Sequence, residues 1–469
     1  MEQAAFIKKY ATTRQHTDSL KWDALQARYG NPDLLAMWVA DMEFKVPEQV
    51  TQALQERVAH GIYGYSITPD RYYQAFIDWE QARHGLTLKR DWIRFGSGVV
   101  NSLYALVNIL TQPGDGVLIL TPVYYPFFNA VRDNHRQLVT SELRNDRGHY
   151  TIDFEDVEQQ IKANEVRLFI QCSPHNPVGR IWSEDEETRL LALCEQYHVL
   201  VISDEIHQDL EIDRTNHPFK SALTVANGRF SNRVIVVNAP SKTFNLAALL
   251  NSHLVIPNPK LRQRYDAQIG RFSQTEISVL GQVAGQTAYE SGAAWLDQIL
   301  AIVRDNYHYL CTTFAAHAPK LVLADLQGTY LTWLDLRAYV QPAATKAFIQ
   351  DQCQLAVDFG EWFSPDDQGF VRLNLATNPQ NVREAAQRIV TCLSQMTKIT
   401  KKFRHRRVGI FLTTFIGNRA SLEQTSSSNL SANEGVSNQA QCQYTNDDGG
   451  FNVTEYPEKN CNSERTVNN

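Results

Sequence analysis

The chain has 469 residues, 43 % of them hydrophobic, and a formal net charge of −6. That length predicts two domains of unequal size rather than one simple core, and the near-balanced charge argues against a nucleic-acid partner. Seven scattered cysteines without metal-ligand spacing, a polar N-terminus and no long apolar run argue against a metal site, a secretory signal and a membrane span, and predict a cytoplasmic protein.

In chain order, residues up to about Asp41 read as an extended arm, and Leu35–Phe44 is apolar enough to want burial but lacks a helical period. A helix is predicted from Pro47 to His60, with Val50, Leu54 and Val58 on one face, and a second from Arg71 to a closing Gly85. Between them Tyr63-Gly-Tyr65 forms a loop whose phenols suit either packing or a phosphate. Phe95-Gly-Ser-Gly-Val-Val-Asn-Ser-Leu103 reads as a strand end, a glycine turn and a helix starting near Val99. Unpaired N–H groups at such a helix start favour an anion. The third glycine of the dinucleotide fingerprint is absent, so the turn alone is a weak signal.

Strands and helices then alternate. Gly116–Pro122, Val166–Cys172, His198–His207, Val234–Val237 and Asn251–Pro257 are apolar strands, and Glu184–Tyr197 is a helix with acids in its first turn. Apolar strands between amphipathic helices predict a mostly parallel sheet buried on both faces. Ligands of such sheets sit at the carboxyl ends of the strands, which singles out Tyr124, Asn176, Asp204, His207 and Lys242. Asp204 ends a wholly apolar strand and must be paired there. Lys242 follows a β-branched strand and stands between Ser241 and Thr243, whose hydroxyls suit a phosphate. Desolvation or a neighbouring cation would lower its pKa and free the amine to attack a carbonyl.

After about residue 285 the pattern changes to long helices, Ala288–Phe314 and Thr345–Leu355, beside antiparallel strands over 328–335 and 369–376. Arg372 alternates with Val371 and Leu373, which predicts a guanidinium on the polar side of its strand, able to fork a carboxylate. Beyond Ser394 a basic cluster, Lys401–Arg407, leads into an Asn-, Ser- and Thr-rich tail expected to be disordered.

Met37-Trp-Val-Ala-Asp41, Tyr63-Gly-Tyr65, Thr121-Pro-Val-Tyr124, Ser173-Pro-His-Asn-Pro-Val-Gly179, Ser203-Asp-Glu-Ile-His-Gln-Asp209, Ser241-Lys-Thr-Phe-Asn245, Gly328-Thr-Tyr-Leu331 and Arg372-Leu-Asn374 occur in this order. With them the chain resembles the pyridoxal phosphate enzymes of fold type I, in the class I/II aminotransferase superfamily. The nearest likeness is to the MalY/PatB group of cystathionine β-lyases. The resemblance covers roughly residues 1–395 and implies an α/β aspartate aminotransferase fold. An N-terminal arm (1–46) would join a small α+β domain (286–396), a large cofactor domain would span 47–285, and the tail (397–469) would follow.

The resemblance also implies roles. Lys242 would condense with the cofactor aldehyde, Asp204 would pair with the ring nitrogen and Tyr124 would stack on the ring. Asn176 would bond the ring hydroxylate, with His207 close behind. Gly98, Val99, Val100 and Ser241 would hold the phosphate, joined by Tyr65 from a second copy in a homodimer. Arg372 would clamp the substrate α-carboxylate, with Tyr124 and Ala40 also lining the substrate. The sequence departs from the family pattern at Glu43, Asn101, Ala248 and Thr377-Asn378, and Leu250, where typical aminotransferases have a phosphate-binding arginine, agrees with the lyase group. Ala248, where glycine is usual, is expected to push a helix away from the cofactor. The expected reaction is α,β-elimination on a cysteine S-conjugate. Its rivals are transamination and a catalytically idle interaction protein on the same fold.

Overall fold

The structure, a computed structural model, describes residues 1–271 and 277–396, all within one compact unit. The expected disordered tail, 397–469, lies outside the described residues. No helix among the described residues is long and apolar enough to cross a membrane.

Seven described strands form the main sheet: β1 (Ile93–Gly96), β2 (Gly116–Thr121), β3 (Gln137–Glu142), β4 (Val166–Cys172), β5 (Leu200–Asp204), β6 (Val234–Asn238) and β7 (Ser252–Val255), in the order β1-β7-β6-β5-β4-β2-β3. Neighbours from β3 through β6 pair in parallel, and β7 runs antiparallel to both β6 and β1. The mostly parallel sheet is the one expected. Its strands read as continuous apolar runs because both faces are covered: Leu118, Phe169, Val201 and Val236 enter one core, while Ile119, Ile170, Ile202 and Val237 enter the other. Each such side chain contributes about 1.5–3 kcal/mol on burial.

A second, antiparallel sheet joins β8 (Val322–Leu323), β9 (Leu331–Asp335), β10 (Asp358–Phe359) and β11 (Phe370–Asn374) in the order β8-β9-β11-β10. All of β11 is buried, so Arg372 does not lie on a polar face. It enters the interior because a buried carboxylate faces it across the sheet.

Several local expectations change. The arm is not simply extended: Gln3–Tyr10 is a helix that buries Phe6 and Tyr10, and Leu35–Ala36 pairs in parallel with Leu355–Ala356. The helix expected over 288–314 is instead two, Val279–Ser291 and Ala293–His317, meeting at Gly292. A Cβ on Gly292 would stand 2.3 Å from the Phe244 ring, so glycine is required where these helices press on the turn that carries Lys242. Over 345–355 the chain forms a π-helical turn, Ala347–Gln352, rather than an α-helix. Ala248 lies exposed on a short 3-10 turn, Ala247–Leu249, so there is no helix for its methyl to push.

Candidate active site

β5 and β6 are parallel neighbours, with Asp204 opposite Val237, so their carboxyl ends deliver Asp204 and the Lys242 turn side by side. Pro240 opens the turn and suits a first helical position, where its missing N–H is not needed. Lys242 Nζ donates to the Ala40 carbonyl at 2.6 Å. Burial lowers its pKa to about 8; Arg372 pushes the same way, and Asp41 and Asp204 push back.

Asp204 is 4 % exposed and accepts one hydrogen bond, from the Ile206 N–H to Oδ1 at 3.1 Å. Burial raises its pKa to about 7 against the pull of that bond and of Lys242. His207 is buried, its Nδ1 without a partner among the described residues, and burial together with the charges on Lys242 and Arg372 holds the ring neutral. Tyr124 is also held neutral, its pKa raised mainly by burial.

Asn176 is drawn into this group through Arg372, whose Nη1 donates to Asn176 Oδ1 at 2.9 Å. The guanidinium carbon stands 4.8 Å from the Phe363 ring centroid, and Nη2 donates to Asp358 Oδ2. The phosphate candidates lie at the same end of the sheet. Gly98 precedes the helix Val99–Leu110 with φ 145°, a conformation that needs glycine, and its N–H donates to Ser252 Oγ at 3.1 Å. Ser252 opens β7, whose next residue, His253, pairs with Asn238 at the end of β6, shortly before half-buried Ser241. Val99 is buried and Val100 is 36 % exposed. Tyr65 is not brought to the other candidates of its own chain; it stands fully exposed.

The arm closes the pocket. Ala40 O accepts from both Lys242 Nζ and Tyr330 OH, the latter at 2.8 Å, and Asn374 Nδ2 donates to Val39 O and Asp41 O. Asp41 pairs with Arg14 at 2.6 Å. Two departures from the family pattern touch: Glu43 Oε2 accepts from Thr377 Oγ1 at 2.7 Å, while Glu43 Oε1 lies 3.1 Å from the fully buried Lys21. Sequence reasoning assigned no role to Tyr330, Asp41 or Asp358. Tyr330 lay within a motif already singled out, Gly328–Leu331, but Asp358 carried no local signal.

The open oxygen of the buried Asp204 carboxylate provides a test for the cofactor. Asp204 Oδ2 takes no hydrogen bond among the described residues, and the carboxylate is costly to ionise without a cation. A protonated pyridine nitrogen is such a cation, and a carbonyl is the partner for a partly neutral lysine. The residues therefore fit pyridoxal phosphate.

An amine eased toward its neutral form and a carboxylate in want of a cation, at the carboxyl ends of two neighbouring strands of this sheet, define the class: a pyridoxal-phosphate-dependent enzyme. The chain belongs to the aminotransferase class I and II family, which it matches over residues 33–389. It is 36 % identical over 383 residues to cystathionine beta-lyase PatB of Bacillus subtilis, covering 81 % of this chain and 98 % of that protein. Protein MalY of Escherichia coli is 32 % identical over 365 residues, 77 % of this chain and 92 % of MalY. Among solved structures, cystalysin from Treponema denticola, which contains pyridoxal 5'-phosphate, superposes with a TM-score of 0.78 at 32 % identity, covering 82 % of this chain and 98 % of cystalysin. The PLP-bound C-S lyase from Staphylococcus hominis gives 0.76 at 32 % identity, covering 81 % and 96 %. The family resemblance and the cofactor expected from the sequence are borne out.

Proposed function

We propose that the protein is a carbon–sulfur β-lyase that splits L-cystathionine, or a related cysteine S-conjugate, into a thiol, pyruvate and ammonia. The observation that carries this reading is the Lys242 amine, held on the Ala40 carbonyl with its pKa lowered to about 8, beside Asp204. It is supported by relatives and structural neighbours that bear cystathionine β-lyase and C-S lyase names.

When bound, pyridoxal phosphate supplies the electron sink that makes loss of a Cα proton feasible. This chain's residues do the rest. Lys242 would hold the cofactor through Nζ and, with that amine free, would take the substrate Cα proton. The Cα electron pair would expel the thiolate as the Cβ–S bond breaks, the Lys242 ammonium would return a proton to the leaving sulfur, and water would hydrolyse the released aminoacrylate to pyruvate and ammonia. Asp204 would face the ring nitrogen with negative charge. Asn176 accepts from Arg372 at Oδ1, which leaves Nδ2 as the donor that would meet the ring oxygen, with His207 behind it. Tyr124 would cover the ring as a neutral phenol. Gly98, Val99, Val100 and Ser241 supply neutral donors for the phosphate. Arg372 forks the α-carboxylate, and Ala40 lines the substrate.

The working unit is a homodimer. Val58, Ile62, Tyr63, Tyr65 and Ile67 are all at least half exposed and crowd one short segment. An apolar surface of this kind favours a protein partner, and Tyr65 would then reach the phosphate of the second copy. Free, buried Cys172, Cys194 and Cys353 suit a reducing cytoplasm.

The test is the product set of the holoenzyme given L-cystathionine alone. Equimolar pyruvate and homocysteine support the lyase. A keto acid formed only when a second keto acid is added would instead make the protein a transaminase.

A further inference from the structure

Arg372 is the residue proposed to receive a substrate carboxylate, yet it already holds one. Asp358 stands directly opposite it in the β10–β11 pair, and Asp358 Oδ2 accepts from Arg372 Nη2. The guanidinium is further fixed by Asn176 at 2.9 Å and by the Phe363 ring. Arg372 and Asp358 are 3 % and 4 % exposed, so water screens the pair little. The fields of Asp358 and Arg372 both reach the phenols of Tyr29, Tyr124 and Tyr125, and the Arg28 guanidinium also acts on Tyr29 and Tyr125. The phenols bring no positive charge; Arg28 does, and it is the same in wild type and in any Asp358 variant.

We propose that Asp358 is a specificity-determining residue whose carboxylate neutralises Arg372 in advance and so weakens the site's grip on the α-carboxylate of an amino-acid ligand. The inference rests on the reading of Arg372 as the carboxylate fork.

The physics is a competition for charge rather than for hydrogen bonds. A guanidinium has five N–H donors, and two of its bonds are accounted for by Asn176 and Asp358. Donors remain for a second carboxylate. What Asp358 removes is the net positive charge: with a ligand carboxylate added, the cluster carries two negative groups on one cation. In a buried, weakly screened site those two repel. A ligand carrying a carboxamide meets no such repulsion. The pocket therefore discriminates weakly between an amino acid and its amide, and Asp358 sets that ratio by acting through Arg372.

The experiment is calorimetric titration of the holoenzyme and its Asp358→Asn variant with L-alanine, which lacks a β leaving group, and with L-alaninamide. Asparagine leaves Arg372 a hydrogen-bond acceptor and deletes only the charge. L-Alanine is expected to bind at least about tenfold more tightly to the variant, the size of effect a removed buried like charge produces, with L-alaninamide within about threefold of wild type. KM for cystathionine is expected to fall in the variant together with the L-alanine dissociation constant. Unchanged or weaker L-alanine binding overturns the proposal, as does equal tightening of both ligands, which a merely repacked pocket would produce. Asp358→Ser, smaller and equally uncharged, must shift L-alanine in the same direction and provides the test should the asparagine variant misfold. The readout is heat, not pyruvate. A wild-type enzyme that released no pyruvate would defeat the lyase reading and leave the Asp358 result standing.

Discussion

The pocket at the ends of β5 and β6 and the loop after the helix Glu48–His60 are unfinished in opposite ways. In the pocket, charge is buried: Asp204 is pushed up to about 7 and Lys242 down to about 8. In the loop, hydrocarbon is exposed: Ile62 is 64 %, Tyr65 101 % and Ile67 84 % exposed. Both conditions cost free energy, but different things relieve them. A buried carboxylate is answered by a small cation held close, and an exposed apolar segment by a second protein surface. The contrast separates the groups proposed to bind the cofactor within one chain from those proposed to meet a second copy.

Each region can be altered by itself. The largest effect belongs to Lys242→Ala, which is expected to lower pyruvate release by about a thousandfold or more, since the base and the covalent link vanish together; a coupled pyruvate assay checks it. Asp204→Asn should weaken cofactor binding by about a hundredfold, or roughly 3 kcal/mol, read by titrating the apoprotein with pyridoxal phosphate. The same change should stabilise the apoprotein. An acid whose pKa rises on folding, from 3.8 to about 7 here, gives the folded state more bound protons than the unfolded one. Its contribution to stability therefore falls as pH climbs from about 4 to about 7, by up to about 1.4 kcal/mol per unit, and stays lost above that. Thermal melts at pH 8 should place the apo variant above wild type, and an apo variant melting lower would remove the buried-charge account of Asp204.

In the loop, Ile67→Lys leaves little to lose within a monomer, where an exposed substitution stays within about 0.5 kcal/mol. It is expected to shift the protein toward a single-copy mass in sedimentation while its melt in the monomeric state is unchanged. An unaltered sedimentation profile would separate this loop from any interface. The smallest effect belongs to Ala248→Gly: the side chain is exposed on a short turn, so stability and cofactor affinity should both stay within about 0.5 kcal/mol and threefold of wild type.

The main sheet was legible in the sequence because its strands, covered on both faces, had to be β-branched or aliphatic throughout, as Val234–Val237 are. The pocket was legible for the same reason: a polar residue at the end of such a strand, Asp204 above all, stands out against what precedes it. What stayed hidden depends on contacts between distant segments. The need for glycine at 292, where the two helices meet, comes from the Phe244 ring, 48 positions away, which no helical period announces. Lys21 is wholly buried because Glu43 meets it, and Glu43 in turn meets Thr377. Each reads singly as an ordinary surface residue or an unexplained departure. Asp358 lies on a two-residue strand too short to carry a pattern, and its importance comes from the register that sets it against Arg372. Local composition reports which residues can be buried, and only the fold reports which charges are buried together.

The most direct measurement on the central claim is to fix the cofactor to the holoenzyme by borohydride reduction and map the labelled peptides by mass spectrometry. A single labelled site at Lys242, lost in the Lys242→Ala variant, is the predicted result. A label on any other lysine, or none, would contradict the assignment of this amine to the chemistry.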